Sequence, residues 1–234
     1  MFRFKQFSID DAHCGMPVST DGVLLGAWAS APQQGRLLDI GCGSGLLSLM
    51  LAQRYDGLAI TALDIEESAV KATQKNRDNS PWCKRIFVIQ ANIIQWAYTQ
   101  QAGSFDVIVC NPPYFTSGEI AQNKARGIAR HTQRLDFLSL MRVTQYLLKP
   151  QAVAHFILPI LQASQCIALA QSIGLHLVDS CMVKSTDNKP PFRHLFSLSP
   201  CLIAYREEKE LRIKEKGVYS DDYVALTQDF YLKM

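Results

Sequence analysis

The chain contains no Cys-x-x-Cys pair, and its seven cysteines are an odd number. Cys14, Cys42, Cys83, Cys110, Cys166, Cys181 and Cys201 are scattered, mostly inside apolar runs, where a thiol behaves as a small hydrophobe. That pattern argues against disulfides and a zinc site; no metal is expected, and a reducing cytoplasmic compartment is. The start lacks an apolar core of signal-peptide length, and no apolar run approaches a membrane span. A membrane partner is therefore not expected. Charge of one sign is also scarce. The formal net charge of +3 permits an anionic partner without demanding one. There is no internal repeat, low-complexity tract or linker, so one domain over residues 1–234 is expected. A hydrophobic fraction of 48% argues against extensive disorder.

What the chain does have is concentrated in Leu37-Leu38-Asp39-Ile40-Gly41-Cys42-Gly43-Ser44-Gly45. An apolar run ends at Asp39, three glycines alternate, and a helical apolar pattern begins at Leu46. This reads as a buried strand, a tight turn and a helix start, whose free N–H groups suit a polar or anionic ligand. Asp64 closes the next apolar run, about twenty residues past the glycines, where a carboxylate can take a ribose diol. The spacing is G-x-G-x-G and lacks the G-x-x-G step of a dinucleotide fingerprint. Asp39 is placed to meet a cationic ligand group. The pattern resembles the S-adenosylmethionine (SAM) loop of class I methyltransferases.

Strands and helices alternate from residue 36 onward. Strands are expected at 36–40, 58–64, 85–90, 105–110, 153–158, 176–183 and 194–204. Helices are expected at 46–55, 66–79, 93–98, 135–148 and 162–172. Such alternation predicts an α/β, Rossmann-like fold, with a seven-stranded, mostly parallel sheet and helices on both faces. The last two strands are joined by no helix, which makes the last one antiparallel. Residues 36–204 form the core. Before it, 1–35 carry a short strand or hairpin edge and a helix over about 22–31, capped by Thr20 or Asp21, that covers the cofactor site. After it, 205–234 form a charged tail and a terminal helix. Between 111 and 132 lies an aperiodic polar stretch of some twenty residues, a length that marks a functional or mobile loop.

The fourth core strand runs straight into Asn111-Pro112-Pro113-Tyr114. In a doubly wound sheet the C-terminal ends of central strands line the ligand crevice. The two prolines fix φ and remove two N–H donors, leaving the Pro112 carbonyl a rigid acceptor. An exocyclic amine such as adenine N6 is a poor nucleophile, because its lone pair is conjugated into the ring. Acceptors on both N–H bonds would pull it toward tetrahedral geometry, and the Asn111 oxygen with the Pro112 carbonyl are a matched pair for that. Tyr114 can stack on the flipped base. The combination resembles the amino-group methyltransferases, which act on adenine, guanine or glutamine amides.

The two ends sharpen the resemblance. Phe4-Lys5-Gln6-Phe7, the run Thr20 to Trp28, Tyr219-Ser220, Tyr223 and the run Ala225 to Tyr231 look like the bacterial tRNA(Val) adenine-N6 methyltransferase family. That resemblance covers nearly the whole chain. It implies methyl transfer from SAM to N6 of adenosine 37 in the anticodon loop, with tRNA as partner and no obligate protein partner. It implies cofactor contacts from Thr20, Asp39, Gly41, Cys42, Gly43, Gly45, Asp64, Ile65, Asn92 and Asn111. Asn111, Pro112, Pro113 and Tyr114 would form the catalytic site. Candidate RNA contacts are Tyr114, Lys124, Arg126, Arg130, Lys189 and Arg193, with Lys184 as a further cation. The sequence departs from the family pattern at Asn92, where an Asp is common, and at Pro17, where a lysine is expected. The rival readings are a protein-glutamine methyltransferase, a ribosomal guanine-N2 or DNA adenine enzyme, and a non-catalytic SAM- or RNA-binding module. The first usually carries a separate helical N-terminal domain, and a DNA enzyme would add a target-recognition domain.

Overall fold

The computed structural model describes residues 1–12, 17–113, 136–202 and 208–233. A two-stranded ribbon, β1 (Phe2–Arg3) and β2 (Ser8–Ile9), opens the chain. The main sheet contains β3 (Gln34–Ile40), β4 (Gly57–Asp64), β5 (Ile86–Gln90), β6 (Phe105–Cys110), β7 (Leu148–Leu158), β8 (His176–Thr186), β9 (Arg193–Ser199), β10 (Lys209–Glu215) and β11 (Val218–Tyr219). Its spatial order is β11-β10-β8-β9-β7-β6-β3-β4-β5. From β7 to β5 all neighbours are parallel; β9 runs antiparallel to both β7 and β8.

The seven expected core strands are all present, with the antiparallel one inserted between its neighbours. The sheet is nevertheless nine-stranded, because the charged tail adds β10, parallel to β8, and β11. Lys209 to Glu215 reads as a solvated charge run, yet it alternates. Leu211 turns inward while Glu210 and Arg212 stay at the surface. The seventh expected strand ends at Ser199 rather than at 204. The fifth begins earlier, at Leu148, because Pro150 falls where the β6–β7 register shifts and its missing N–H breaks no regular ladder.

The helices are α1 (Thr20–Trp28), α2 (Leu46–Arg54), α3 (Glu67–Asp78), α4 (Ile93–Ala97), α5 (Phe137–Leu147), α6 (Ile160–Ser172) and α7 (Asp221–Thr227). Strand side chains alternate between two cores, as period-2 geometry requires. Leu37, Ile60 and Val109 join the core under α1 and α2; Leu38, Ile108 and Phe156 join the one under α5 and α6. Ser19 caps α1, its hydroxyl accepting from the Gly22 N–H. This corrects the expected cap at Thr20 or Asp21: the helix starts two residues earlier than expected, and Asp21 is buried instead. α1 lies close against α2, since a Cβ at Gly22 would stand 2.9 Å from Leu46 and one at Gly26 2.6 Å from the Met50 sulfur.

Candidate active site

The chain passes from β3 to β4 to β5 on one side and then crosses to β6 on the other flank of β3. The strand order therefore reverses between β3 and β6, and a ligand crevice forms outside their carboxyl ends. Three sequence signals meet there: the glycine turn after β3, Asp64 at the end of β4, and Asn111 after β6. Register ties them to one level, with Ile40 opposite both Leu63 and Cys110.

The glycine turn is pinned from below. The Gly41 and Cys42 N–H groups donate to the Leu63 carbonyl at 2.8 and 3.0 Å. The Gly43 N–H donates to Asp64 Oδ2 at 2.9 Å, and the Gly45 N–H to the Cys42 carbonyl at 2.7 Å. These four donors are thus occupied within the protein; the end of β4 takes three of them and the turn itself the fourth. What the turn offers is space. Gly41 and Gly43 have φ of +72° and +56°, and a Cβ on either would meet nothing within 4 Å. Any side chain there would be strained and would fill the cleft.

Asp39 is fully buried at the base of the turn. Its Oδ2 accepts from the Ser48 hydroxyl at 2.7 Å and the Ser48 N–H at 3.2 Å. Its Oδ1 is buried without a partner among the described residues. Desolvation pushes the carboxyl up to about 7, against the pull of Ser48 and with a small push from Asp64. A buried carboxylate with one orphan oxygen is costly unless a donor or cation meets it. Asp64 is half-buried and oriented by two backbone donors, Gly43 on Oδ2 and Glu66 on Oδ1 at 3.0 Å. A carboxylate has about four acceptor positions, so it retains capacity for a diol. Beside it Ile65 is exposed, an apolar surface at the rim.

Asn92 caps α4, its Oδ1 accepting from the Ile94 N–H at 2.9 Å. Its oxygen, which has two acceptor positions, gives one of them to the helix start. Thr20 is exposed on the first turn of α1, near the α2 start to which Gly22 is apposed. Cys42 and Cys110 are buried and their thiols are pushed well up by desolvation, which fits packing rather than chemistry. Asn111 is half-buried, Pro112 buried and Pro113 exposed. Among the described residues nothing engages the Asn111 amide. Tyr114, Lys124, Arg126 and Arg130 lie outside the described residues.

Arg193 does not stand as a free cation. Its Nε donates to Asp21 Oδ2 at 2.7 Å, tying the start of β9 to α1. Lys184 is paired with Glu210 at 2.7 Å. Lys189 is exposed, on the loop between β8 and β9. Among the described residues no cluster of three or more His, Cys, Asp or Glu could hold a metal ion, and no helix could cross a membrane. Sequence reasoning missed Ser48, Thr73 and Asn76. The last two are polar residues three apart on the inward face of α3, in line with Ala69 and Val70. Polar residues on an otherwise apolar helical stripe were the available signal.

The methyltransferase small domain family matches residues 20–136. A relative from Vibrio cholerae is 51% identical over 100% of this chain and 95% of its own length. One from Vibrio vulnificus is 48% identical over 100% and 96%, and one from Photobacterium profundum 45% identical over 100% and 98%. All three are named tRNA1(Val) (adenine(37)-N6)-methyltransferase. Among solved structures, a predicted O-methyltransferase from Agrobacterium tumefaciens superposes with a TM-score of 0.70 at 16% identity, over 90% of this chain and 96% of that one. A putative SAM-dependent methyltransferase from Methanococcus maripaludis gives 0.51 at 15%, over 75% and 80%. These two likenesses concern the fold, which is that of class I SAM-dependent methyltransferases. Family and fold together imply SAM as the methyl donor. With relatives 45–51% identical across its full length, the chain belongs to the tRNA1(Val) (adenine(37)-N6)-methyltransferase family.

Proposed function

We propose that this chain, as a single-domain cytoplasmic enzyme without an obligate protein partner, transfers a methyl group from SAM to N6 of adenosine 37 in the anticodon loop of tRNA(Val). The observation that carries the reading is the position of Asn111-Pro112-Pro113 across the strand-order reversal from the glycine turn, with the Asn111 amide unengaged among the described residues.

The residues of the crevice fit SAM. The orphan oxygen of Asp39 suits an ammonium group, the open space over Gly41 and Gly43 suits close approach of a ligand, and Asp64 suits a ribose diol. Ile65 supplies an apolar surface for a planar base; Thr20, Cys42, Gly45, Asn92 and Asn111 are the further cofactor contacts of this reading. When bound, SAM supplies an electrophilic sulfonium methyl.

The chain's own contribution is on the acceptor side. The side-chain oxygen of Asn111 and the carbonyl of Pro112 accept the two N–H bonds of the exocyclic amine. Their pull localises the nitrogen lone pair toward the crevice. Prolines at 112 and 113 hold that carbonyl in place, so little reorganisation accompanies the reaction. The proton leaves easily from the cationic nitrogen, so no carboxylate base is needed. Alignment supplies much of the remaining rate effect. Tyr114 would stack on the base, and Lys189, with Lys124, Arg126 and Arg130, would meet phosphates.

The test is methyl transfer from labelled SAM to total RNA from a strain lacking the enzyme, with nucleoside mass spectrometry. N6-methyladenosine confined to position 37 of one tRNA is expected. Label on a protein glutamine and none on RNA would replace this reading with an amide methyltransferase.

A further inference from the structure

Asn76 lies outside the crevice, yet its amide bonds the glycine turn on one side and the N-terminal segment on the other. It is 3% exposed, on the third turn of α3. Its Oδ1 accepts from the Asp10 N–H at 2.9 Å. Its Nδ2 donates to the Asp10 carbonyl at 3.1 Å and to the Ser44 carbonyl at 2.9 Å. One side chain thus grips both backbone polar groups of Asp10 and the last peptide of the glycine turn. Thr73, one helical turn earlier, donates to the Gly43 carbonyl at 2.9 Å. Two more ties fix the same N-terminal segment. Lys75 meets Asp10 at 2.7 Å, and Asp11 Oδ2 accepts from the Val18 N–H at 2.8 Å, just before α1 begins.

We infer that Asn76 is a positioning residue that couples the N-terminal segment around Asp10 to the glycine turn, so that cofactor binding and docking of that segment are one event. The reasoning is a linkage argument. A turn carbonyl held by Asn76 fixes the peptide plane between Ser44 and Gly45, and hence the floor of the cleft above Gly43. The same amide holds Asp10, so ordering either partner lowers the cost of ordering the other. Removing the amide takes this partner from the buried Ser44 carbonyl and from the half-buried carbonyl and N–H of Asp10, so turn and segment loosen together and ligand binding must order both again. The inference rests on the reading of the crevice as a SAM site.

The test uses S-adenosylhomocysteine as probe, in calorimetry on the full chain. Asn76→Ala should weaken its binding about tenfold. The KM for SAM should rise in parallel, while kcat at saturating SAM stays within about twofold. Asn76→Asp keeps the shape and the acceptor for Asp10 but loses both donors, and should weaken binding at least as much. A packing role would leave that variant near wild type. Hydrogen exchange gives the coupling directly. S-adenosylhomocysteine should slow exchange of residues 7–12 in the wild type and fail to do so in either variant. Wild-type affinity in Asn76→Asp, or equal slowing in all three proteins, overturns the inference. If Asn76→Ala does not fold, Asp11→Ala removes the second tie at a half-buried loop position, and an unchanged affinity there overturns it as well. Failure of the wild type itself to bind S-adenosylhomocysteine would instead overturn the reading of the crevice, whatever the methyl acceptor.

Discussion

Among the described residues, nearly every polar group on the cofactor wall of the crevice has an internal partner, whereas on the acceptor wall the Asn111 amide has none. Gly41, Cys42, Gly43 and Gly45 give their N–H groups to protein acceptors, Asp64 accepts two backbone donors, and Thr73 and Asn76 take the turn's carbonyls. Among the described residues of this wall one buried side-chain oxygen, Asp39 Oδ1, is left over. Across the crevice, Asn111 is unengaged among the described residues, and its neighbours are prolines that bring no N–H. The first wall is a mould for one ligand, set by its internal hydrogen bonds. The second is rigid in its backbone and open in its hydrogen bonding, which is what an acceptor base arriving from a large RNA requires. Substitutions on the two walls should therefore separate binding of cofactor from turnover.

The largest effect should come from the acceptor wall. Asn111→Ala removes one of two acceptors used only as the amine becomes tetrahedral. Turnover should fall about 10²- to 10³-fold, a loss typical of one preorganised polar group in a transition state. Binding of S-adenosylhomocysteine should stay within about threefold, since the mould remains. Retained turnover, measured by single-turnover methyl transfer, would remove the amine-polarising role. Loss of cofactor binding alongside turnover would show that the two walls are not separable.

Asp39→Asn should act on the other wall, lowering affinity for the cofactor while raising stability above neutral pH. Burial holds the Asp39 carboxyl up at about 7, against an ordinary value of 3.8. Between those values the folded, ligand-free chain holds a proton that the unfolded chain has lost. Stability of the ligand-free wild type therefore falls as pH rises through that window. Asparagine removes this slope. The variant should melt several degrees above wild type at about pH 8 and lose that advantage by about pH 4. Its affinity for S-adenosylhomocysteine should drop about 10- to 100-fold, because the ligand ammonium no longer meets an anion. Wild-type affinity should itself rise with pH through about 7, and calorimetry across about pH 6 to 8 reads that directly. A pH-independent wild-type affinity would place the ammonium elsewhere.

The parallel half of the sheet was legible in the sequence because its strands carry the whole signal locally. Leu37 to Ile40, Leu58 to Leu63 and Phe105 to Cys110 are apolar runs with Asp39, Asp64 and Asn111 at their ends, and a doubly wound sheet places such ends together. The far half was less legible. Lys209 to Glu215 has only Leu211 and Ile213 to mark a half-buried strand, and its pairing with β8 is non-local. At the site, residue types could be read but not their partners. Asn92 was legible as a polar group at a strand end, while its use as the cap of α4 depends on the backbone that follows. Asn76 and Thr73 were hidden because a polar residue on α3 signifies only when the helix is seen to lie against the glycine turn.

The smallest effects concern two cations that the sequence could not tell apart. Lys189 and Arg193 sit four residues apart where β8 connects to β9, and both could meet phosphate. Arg193 is instead turned inward onto Asp21, with 21% of its side chain and 12% of its partner's exposed. Arg193→Ala leaves Asp21 buried beside the start of α1, and should cost about 2 kcal/mol, below the range for fully buried pairs. Thermal melting should register it, and weakened tRNA binding should follow only in proportion to the loosening of α1. Lys189→Ala should leave the melting temperature unchanged. It should weaken tRNA binding about two- to threefold and reduce the salt slope of affinity by about one, the signature of one lost phosphate contact. If Arg193→Ala also cut the salt slope by about one without lowering the melting temperature, its guanidinium would have to leave Asp21 when RNA arrives. The ion pair would then be a resting position rather than a strut.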